Sequence, residues 1–143
     1  MTKAFVYAYI LSINLLISGC YEAPDSLSNS IAAGCYTGTG LPLLLIKGDM
    51  MIFDQPDLGP IEFTIKVGKQ WDYIQTKPIS LDYVGGILKF QVDEGIGTFW
   101  PIALNDKNLV DHIKPLSKYE GEEGYRRTIE QECSGIRFPG DGL

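Results

Sequence analysis

The chain has 143 residues, 45% hydrophobic, 11% aromatic and 21% charged, with a net charge of −6. This is room for one folded domain and too apolar for a disordered chain, and its negative charge with no basic patch excludes a phosphate backbone as partner, so no nucleic acid is expected. Sixteen glycines and eight prolines favour short strands and tight turns over long helices.

Met1-Thr2-Lys3 is a short basic start, followed by an apolar run over residues 4–17. A permanent membrane-spanning helix needs about 20 apolar residues; this run has instead the length and charge order of a secretory signal. It stops at Ile17-Ser18-Gly19-Cys20, which resembles the lipobox of bacterial lipoproteins: a branched aliphatic, two small residues, then the cysteine. The resemblance implies a diacylglyceryl thioether on Cys20, cleavage before it and acylation of the new amino group. Two or more acyl chains make a stable anchor where one is marginal. Losing residues 1–19 removes one positive charge, Lys3, and takes the net charge from −6 to −7. Ala32-Ala33-Gly34-Cys35 mimics the same motif, but the polar residues 24–30 ahead of it provide no apolar core. Tyr21, where an aspartate holds such proteins at the inner membrane, implies by the same resemblance an outer-membrane protein facing the periplasm. The chain thus divides into a signal peptide (1–19), the lipidated cysteine with its tether (20–33) and a β domain (34–143). The thirteen residues 21–33 are small, polar and broken by Pro24; as flexible chain they reach roughly 20 Å.

In the β domain, residues 43–47 and 50–54 read as a hairpin around Gly48-Asp49. Both strands are apolar on both faces, so each side needs a cover. Ile61, Phe63, Ile65 and Val67 alternate with Glu62, Thr64 and Lys66, a half-buried strand. A three-residue loop 68–70 would bring Trp71 and Tyr73 onto the buried face; a turn of only Gly68-Lys69 would point them outward. The first register is preferred. Residues 79–84 and 87–92 flank Gly85-Gly86, a pair suited to a two-residue turn with positive φ. Pairing outward from it puts Ile79, Leu81, Tyr83, Leu88, Phe90 and Val92 on one face and Asp82 opposite Lys89 on the other, a favourable cross-strand pair. A slip of one residue would destroy both patterns.

Asp93-Glu94-Gly95 reads as a three-residue loop leading into a strand that extends this hairpin, with Ile96, Thr98, Trp100, Ile102 and Leu104 facing the core. Pro101 lacks a ladder donor, so an edge or a bulge is expected there. Residues 109–113 suggest a short strand, 117–124 an acidic loop and 125–131 a last strand. There is no sustained helical period and no repeat. The fold class is therefore all-β: a small antiparallel meander barrel of about 8–10 short strands, closed because closure removes exposed edges, with a β-sandwich as the alternative. With Cys20 lipidated in an oxidising compartment, Cys35 and Cys133 are left to form a disulfide joining the domain's beginning to its end.

No catalytic constellation emerges. His112 is the sole histidine, no Gly-x-Ser-x-Gly is present, and Gly34, Gly38 and Gly40 lack the lysine and the strand–helix setting of a phosphate loop. Asp54, Asp57, Asp93 and Glu94 lack calcium-loop spacing. Neither metal nor cofactor is expected, and the chain reads as non-enzymatic. The arrangement resembles the small lipocalin-like barrels among bacterial lipoproteins, and its size, acidity and cysteine pair resemble periplasmic lysozyme inhibitors and immunity proteins against cell-wall-degrading toxins. Three functions follow: an envelope module that binds another protein; an inhibitor whose loop acids Asp93, Glu94, Glu120, Glu122 and Glu123 engage a basic hydrolase or toxin; and a carrier of a small apolar ligand. The large inward residues Phe63, Tyr83, Phe90 and Trp100 argue for a filled barrel over a carrier.

Overall fold

The computed structural model describes residues 26–114 and 124–138. The signal peptide 1–19, Cys20, residues 21–25 of the tether and the acids Glu120, Glu122 and Glu123 lie outside the described residues. In chain order the elements are β1 (Ser26–Leu27), a 3-10 turn (Asn29–Ala32), β2 (Gly34–Thr37), β3 (Leu44–Lys47), β4 (Met50–Phe53), β5 (Ile61–Lys66), β6 (Tyr73–Thr76), β7 (Ile79–Val84), β8 (Ile87–Val92), β9 (Thr98–Leu104), β10 (Val110–Ile113), β11 (Tyr125–Thr128) and a second 3-10 turn (Glu130–Cys133). β2 to β6 pair in sequence, β6 pairs with β9, β9 with β10, β10 with β11, and β11 returns to β2. This is a closed eight-stranded antiparallel barrel. Closure satisfies both edges of the eight barrel strands without a partner molecule. β1 adds two residues to β5, and β7–β8 stands apart as its own two-stranded sheet. The side of the barrel on which β6 ends and β9 begins is the hairpin end, and the opposite side is the clasp end.

The β7–β8 register is the expected one. Val84 faces Ile87, Asp82 faces Lys89, Leu81 faces Phe90 and Ile79 faces Val92, around Gly85 (φ 61°) and Gly86 (φ 80°). Two successive positive φ values make the turn whose twist matches the strands. The β3–β4 pairing, Lys47 opposite Met50 through Leu44 opposite Phe53, also matches.

Two expectations are corrected. The preferred β5–β6 register is not found: Lys66 faces Tyr73 and Ile65 faces Ile74. The loop is 67–72, longer than either turn considered, and its length turns Tyr73 outward and Ile74 inward. Val67 and Trp71 are 42% and 55% exposed. A side chain at Gly68 would collide with the Trp71 carbonyl, so this loop is drawn tight at its base. The second correction concerns β9, which does not extend β8. It lies between β6 and β10, and Ile96 is 94% exposed, because β7–β8 is an excursion from the meander rather than part of it. Leu104 is likewise exposed, and Tyr83 and Val92 are exposed at opposite corners of the hairpin's apolar face. Pro101 sits on an internal strand, not an edge. Ile102 N–H donates to the Asp72 carbonyl on the β6 side (3.0 Å), so by alternation the proline nitrogen faces β10, opposite Lys114, whose N–H donates to the Pro101 carbonyl (2.9 Å). The proline thus stands at the last rung of that ladder, where its missing donor removes only the reciprocal bond to Lys114. The expected last strand is shorter, giving way after Thr128 to the 3-10 turn.

Inward residues fill the barrel: Tyr36, Leu44, Ile46, Met51, Phe53, Ile61, Ile65, Ile74, Trp100, Val110, Ile113 and Tyr125 are buried. The outer apolar face of β2–β4 has its own cover. Cys35 faces Leu45, which faces Ile52, and over them lie Cys133 and the segment through Ile136 and Arg137. The disulfide Cys35–Cys133 (Cα–Cα 5.8 Å) pins that cover to the wall, joining the two ends of the domain as expected. Residues 26–33, assigned from sequence to the tether, belong to the packed body: Ala32 is fully buried, Leu27 and Ile31 pack against the core, and Asn29 donates to the Phe63 carbonyl (3.1 Å) and accepts from the Ile65 N–H (3.3 Å).

Candidate functional site

Each barrel end is closed by a different device, and the difference locates the candidate site. At the clasp end, Arg127 shares the inward face of β11 with Tyr125. Its guanidinium donates to the carbonyls of Val110 (2.6 Å), Ala33 (2.7 Å) and Ile31 (3.0 Å) and to the Tyr36 hydroxyl (2.9 Å). The Tyr36 hydroxyl donates to the Ala32 carbonyl (2.6 Å). Burial pushes the Tyr36 phenol up to about 12, against the opposing pull of the Arg127 charge. A planar fork of donors on backbone acceptors suits arginine and leaves nothing there for a ligand.

At the hairpin end, β7–β8 is the plug. Phe90 inserts among Phe53 (ring centroids 4.5 Å), Trp100 (5.6 Å) and Tyr125 (6.3 Å), while Ile79, Leu81 and Leu88 are buried beside it. Trp100 donates from its indole nitrogen to Thr76 Oγ1 (3.0 Å), and the Tyr125 hydroxyl donates to the Pro42 carbonyl (2.7 Å). No backbone ladder ties the hairpin to the barrel. Two side chains take that role. Gln55, buried, donates to the Phe90 carbonyl (2.7 Å) and accepts from the Phe90 N–H (2.9 Å). Thr98 Oγ1 accepts from the Ile79 N–H (2.8 Å) and donates to the Ile79 carbonyl (2.9 Å). Each side chain imitates one residue of a neighbouring strand, satisfying backbone groups whose burial unpaired would be costly.

The other end of the hairpin is exposed to solvent. Tyr83 is 55% exposed, Val84 41% and Ile87 63%, an apolar tip beside a turn on a closed, filled barrel. Val84 and Ile87 pair on one face of the tip and Tyr83 lies on the other, so both faces of the tip present apolar side chains to solvent. Scattered exposed apolar residues are ordinary, whereas several on one short turn mark a candidate contact surface. Asp93 and Glu94 are exposed as expected, but at the hairpin's base, where the Asp93 N–H donates to the Pro78 carbonyl (2.9 Å). Six strand residues separate them from the turn, about 20 Å at 3.4 Å per residue. Acids and apolar tip thus occupy opposite ends of one hairpin. Lys114 and Gly124, which border the segment carrying Glu120, Glu122 and Glu123, stand at the same barrel end.

His112 lies in β10 opposite Arg126 and Ala103. Among the described residues no three His, Cys, Asp or Glu side chains converge to hold a metal ion. A groove of about 780 Å³ over the outer face of β5 and β6 is lined by Asp49, Glu62, Lys66 and Lys77 among others, charges of both signs that select no ligand class. Comparison with protein-family models, with characterised proteins and with solved structures finds no match to this chain. The class of protein that the fold defines is a disulfide-closed, eight-stranded meander barrel with a side-chain-clamped hairpin.

Sequence reasoning found the hairpin and its register but not Gln55, Thr98 or Arg127. Their partners are backbone groups far away in sequence, 35 residues for Gln55 and 94 for Arg127 to Ala33. One signal was present: Arg127 shares parity with the buried Tyr125, which places a cation inside the barrel.

Proposed function

We propose that this chain is a non-enzymatic binding module, held to the bacterial outer membrane by lipid on Cys20, whose β7–β8 hairpin engages a protein partner. The observation that carries the reading is the exposed apolar tip, Tyr83, Val84 and Ile87, displayed by a hairpin whose base is fixed to a filled barrel. A rigid base lowers the entropy lost on binding, and tyrosine is among the residue types that most often dominate a contact centre. The carrier reading has less support, since Phe90, Trp100, Tyr36 and Tyr125 occupy the space a ligand would need. A photo-crosslinking residue at position 87, in cells, is expected to capture a discrete protein, and one at position 64 on the outer barrel wall is not. Equal capture at both positions, or none at 87, removes the reading.

The inhibitor reading is favoured by one feature, the acids Asp82, Asp93 and Glu94 on and beside this hairpin in a chain of net charge −6. A projecting element with acids at its base suits a basic cleft, with opposite charge speeding encounter. Salt-sensitive loss of a basic lysozyme's activity in the presence of the chain is the expected result; full activity at low salt excludes that enzyme class.

A further inference from the structure

We infer that the loop 67–72 is a second membrane contact, which orients the barrel with its hairpin end away from the bilayer; the inference rests on the lipid-anchored reading above. β1 pairs with the last residues of β5, Ser26 opposite Lys66 and Leu27 opposite Ile65. Because the two strands are antiparallel, the chain enters Ser26 from the direction in which β5 runs, alongside the start of loop 67–72. Five residues, 21–25, separate Ser26 from Cys20, and a chain of that length spans at most about 20 Å. Acyl chains on Cys20 therefore keep the clasp end close to lipid, and this loop is part of what that end presents.

The loop has the composition that a bilayer interface selects. Val67 is 42% exposed and Trp71 55% exposed, with Lys66 before them and the exposed Lys69 between them. Indole rings settle at headgroup depth, apolar body inward and N–H wet. Lysine lays its stem along apolar surface and places its charge among anionic headgroups. Lys66 and Lys69 face one acid, Asp72, within residues 66–72 of a chain whose net charge is −6, so the local charge opposes that of the whole. Such a patch alone would bind lipid weakly, but next to acyl chains it meets the membrane at high effective concentration. The tip residues Tyr83, Val84 and Ile87, at the opposite barrel end, then point toward a partner in the periplasm.

The test uses the full-length chain, purified from membranes in its processed form and reconstituted in vesicles of phosphatidylcholine and phosphatidylglycerol with brominated acyl chains. Trp71 and Trp100 are the two tryptophans, and Trp100 is buried in the barrel, so quenching by bromine reads Trp71. Emission is expected to fall relative to unbrominated vesicles, and Trp71→Phe is expected to abolish that fall. A tryptophan placed at the tip by Ile87→Trp, in the Trp71→Phe background, should remain unquenched. Lipid on Cys20 is measured in the same material by mass. With lipid present and Trp71 unquenched, or with the tip quenched in its place, the orientation is overturned while the anchor stands. Without lipid on Cys20, anchor and orientation both fail.

Discussion

The barrel and the hairpin are built from the same period-two alternation, yet they are held in opposite ways. Barrel strands are bonded on both edges to other strands, and their inward side chains, Leu44, Ile46, Ile65 and Ile74 among them, are buried at 1% exposure or less. The hairpin's backbone ladder runs only within itself. Its attachment consists of one inserted ring, three buried aliphatic residues and the paired clamps of Gln55 and Thr98. Regions with few cooperative bonds open first and tend to carry function, because opening there costs least. The contrast assigns stability to the barrel and leaves the hairpin as the element on which the proposed recognition rests. It is open to direct attack.

The largest expected effect comes from removing the barrel's staple. The bond Cys35–Cys133 closes a loop with a sequence separation of 98, worth about 4–5 kcal/mol by chain entropy. Replacing both cysteines by alanine should lower the unfolding free energy measured in urea by that much, and it should release the cover over Leu45 and Ile52 as well. A loss below about 1 kcal/mol would show that the cover holds without its staple.

Alkali attacks the clasp end. Tyr36 is raised to about 12 in the fold, against about 10 for an unburied phenol. The folded state keeps the proton longer, so the stabilisation is complete below about pH 10 and is lost as pH rises toward about 12; two pKa units correspond to about 2–3 kcal/mol. The urea midpoint should fall over that window, and Tyr36→Phe should flatten the fall while costing stability at neutral pH through the lost bonds to Ala32 and Arg127. An unchanged alkaline slope in Tyr36→Phe would assign the fall to another group.

How much of this was legible in the sequence follows from what fixes each register. Gly85-Gly86 sets the turn and the flanking alternation sets the faces, so two independent constraints agree on β7–β8, and the observed pairs match. Between β5 and β6 only a glycine marks the turn, the loop length is free, and one residue of error turns Tyr73 and Ile74 over. The meander itself was legible from short alternating runs and tight turns. Its interruption was not, because consecutive strands usually pair and nothing local in residues 93–97 says that β9 belongs beside β6. The apolar β3 and β4 correctly demanded a cover on both sides, yet the covering segment, held by Cys133, is more than 80 residues away. Of the loop acids, Asp93 and Glu94 are exposed but lie at the hairpin's base, and Tyr83 at the tip was read as part of a core face because alternation alone does not tell where the covering surface stops.

A smaller effect, confined to one region, is expected at the clamp. Gln55→Leu removes the partners of the Phe90 N–H and carbonyl, at about 1–3 kcal/mol for buried backbone groups left unpaired. Since the hairpin can lift rather than bear that cost, amide exchange should quicken at Phe90 and its neighbours while the barrel amides of Ile46 and Ile65 keep their protection. Uniform acceleration across both regions would mean that hairpin and barrel unfold as one unit, and the contrast drawn above would be lost.

The smallest effect tests whether the hairpin needs its own cross-strand chemistry. Asp82 faces Lys89 in the register, on the side away from the buried face, where water screens the pair. Lys89→Ala should cost only about 0.2–1 kcal/mol, and less at high salt. Partner capture through position 87 should be unchanged, because the tip is displayed by the Gly85-Gly86 turn and by the buried Leu81, Leu88 and Phe90, none of which depends on that cross-strand pair. If this exposed substitution instead abolished capture while exchange at Phe90 stayed slow, recognition would run through the charged side of the hairpin. The acids Asp82, Asp93 and Glu94 would then displace the apolar tip as the contact surface.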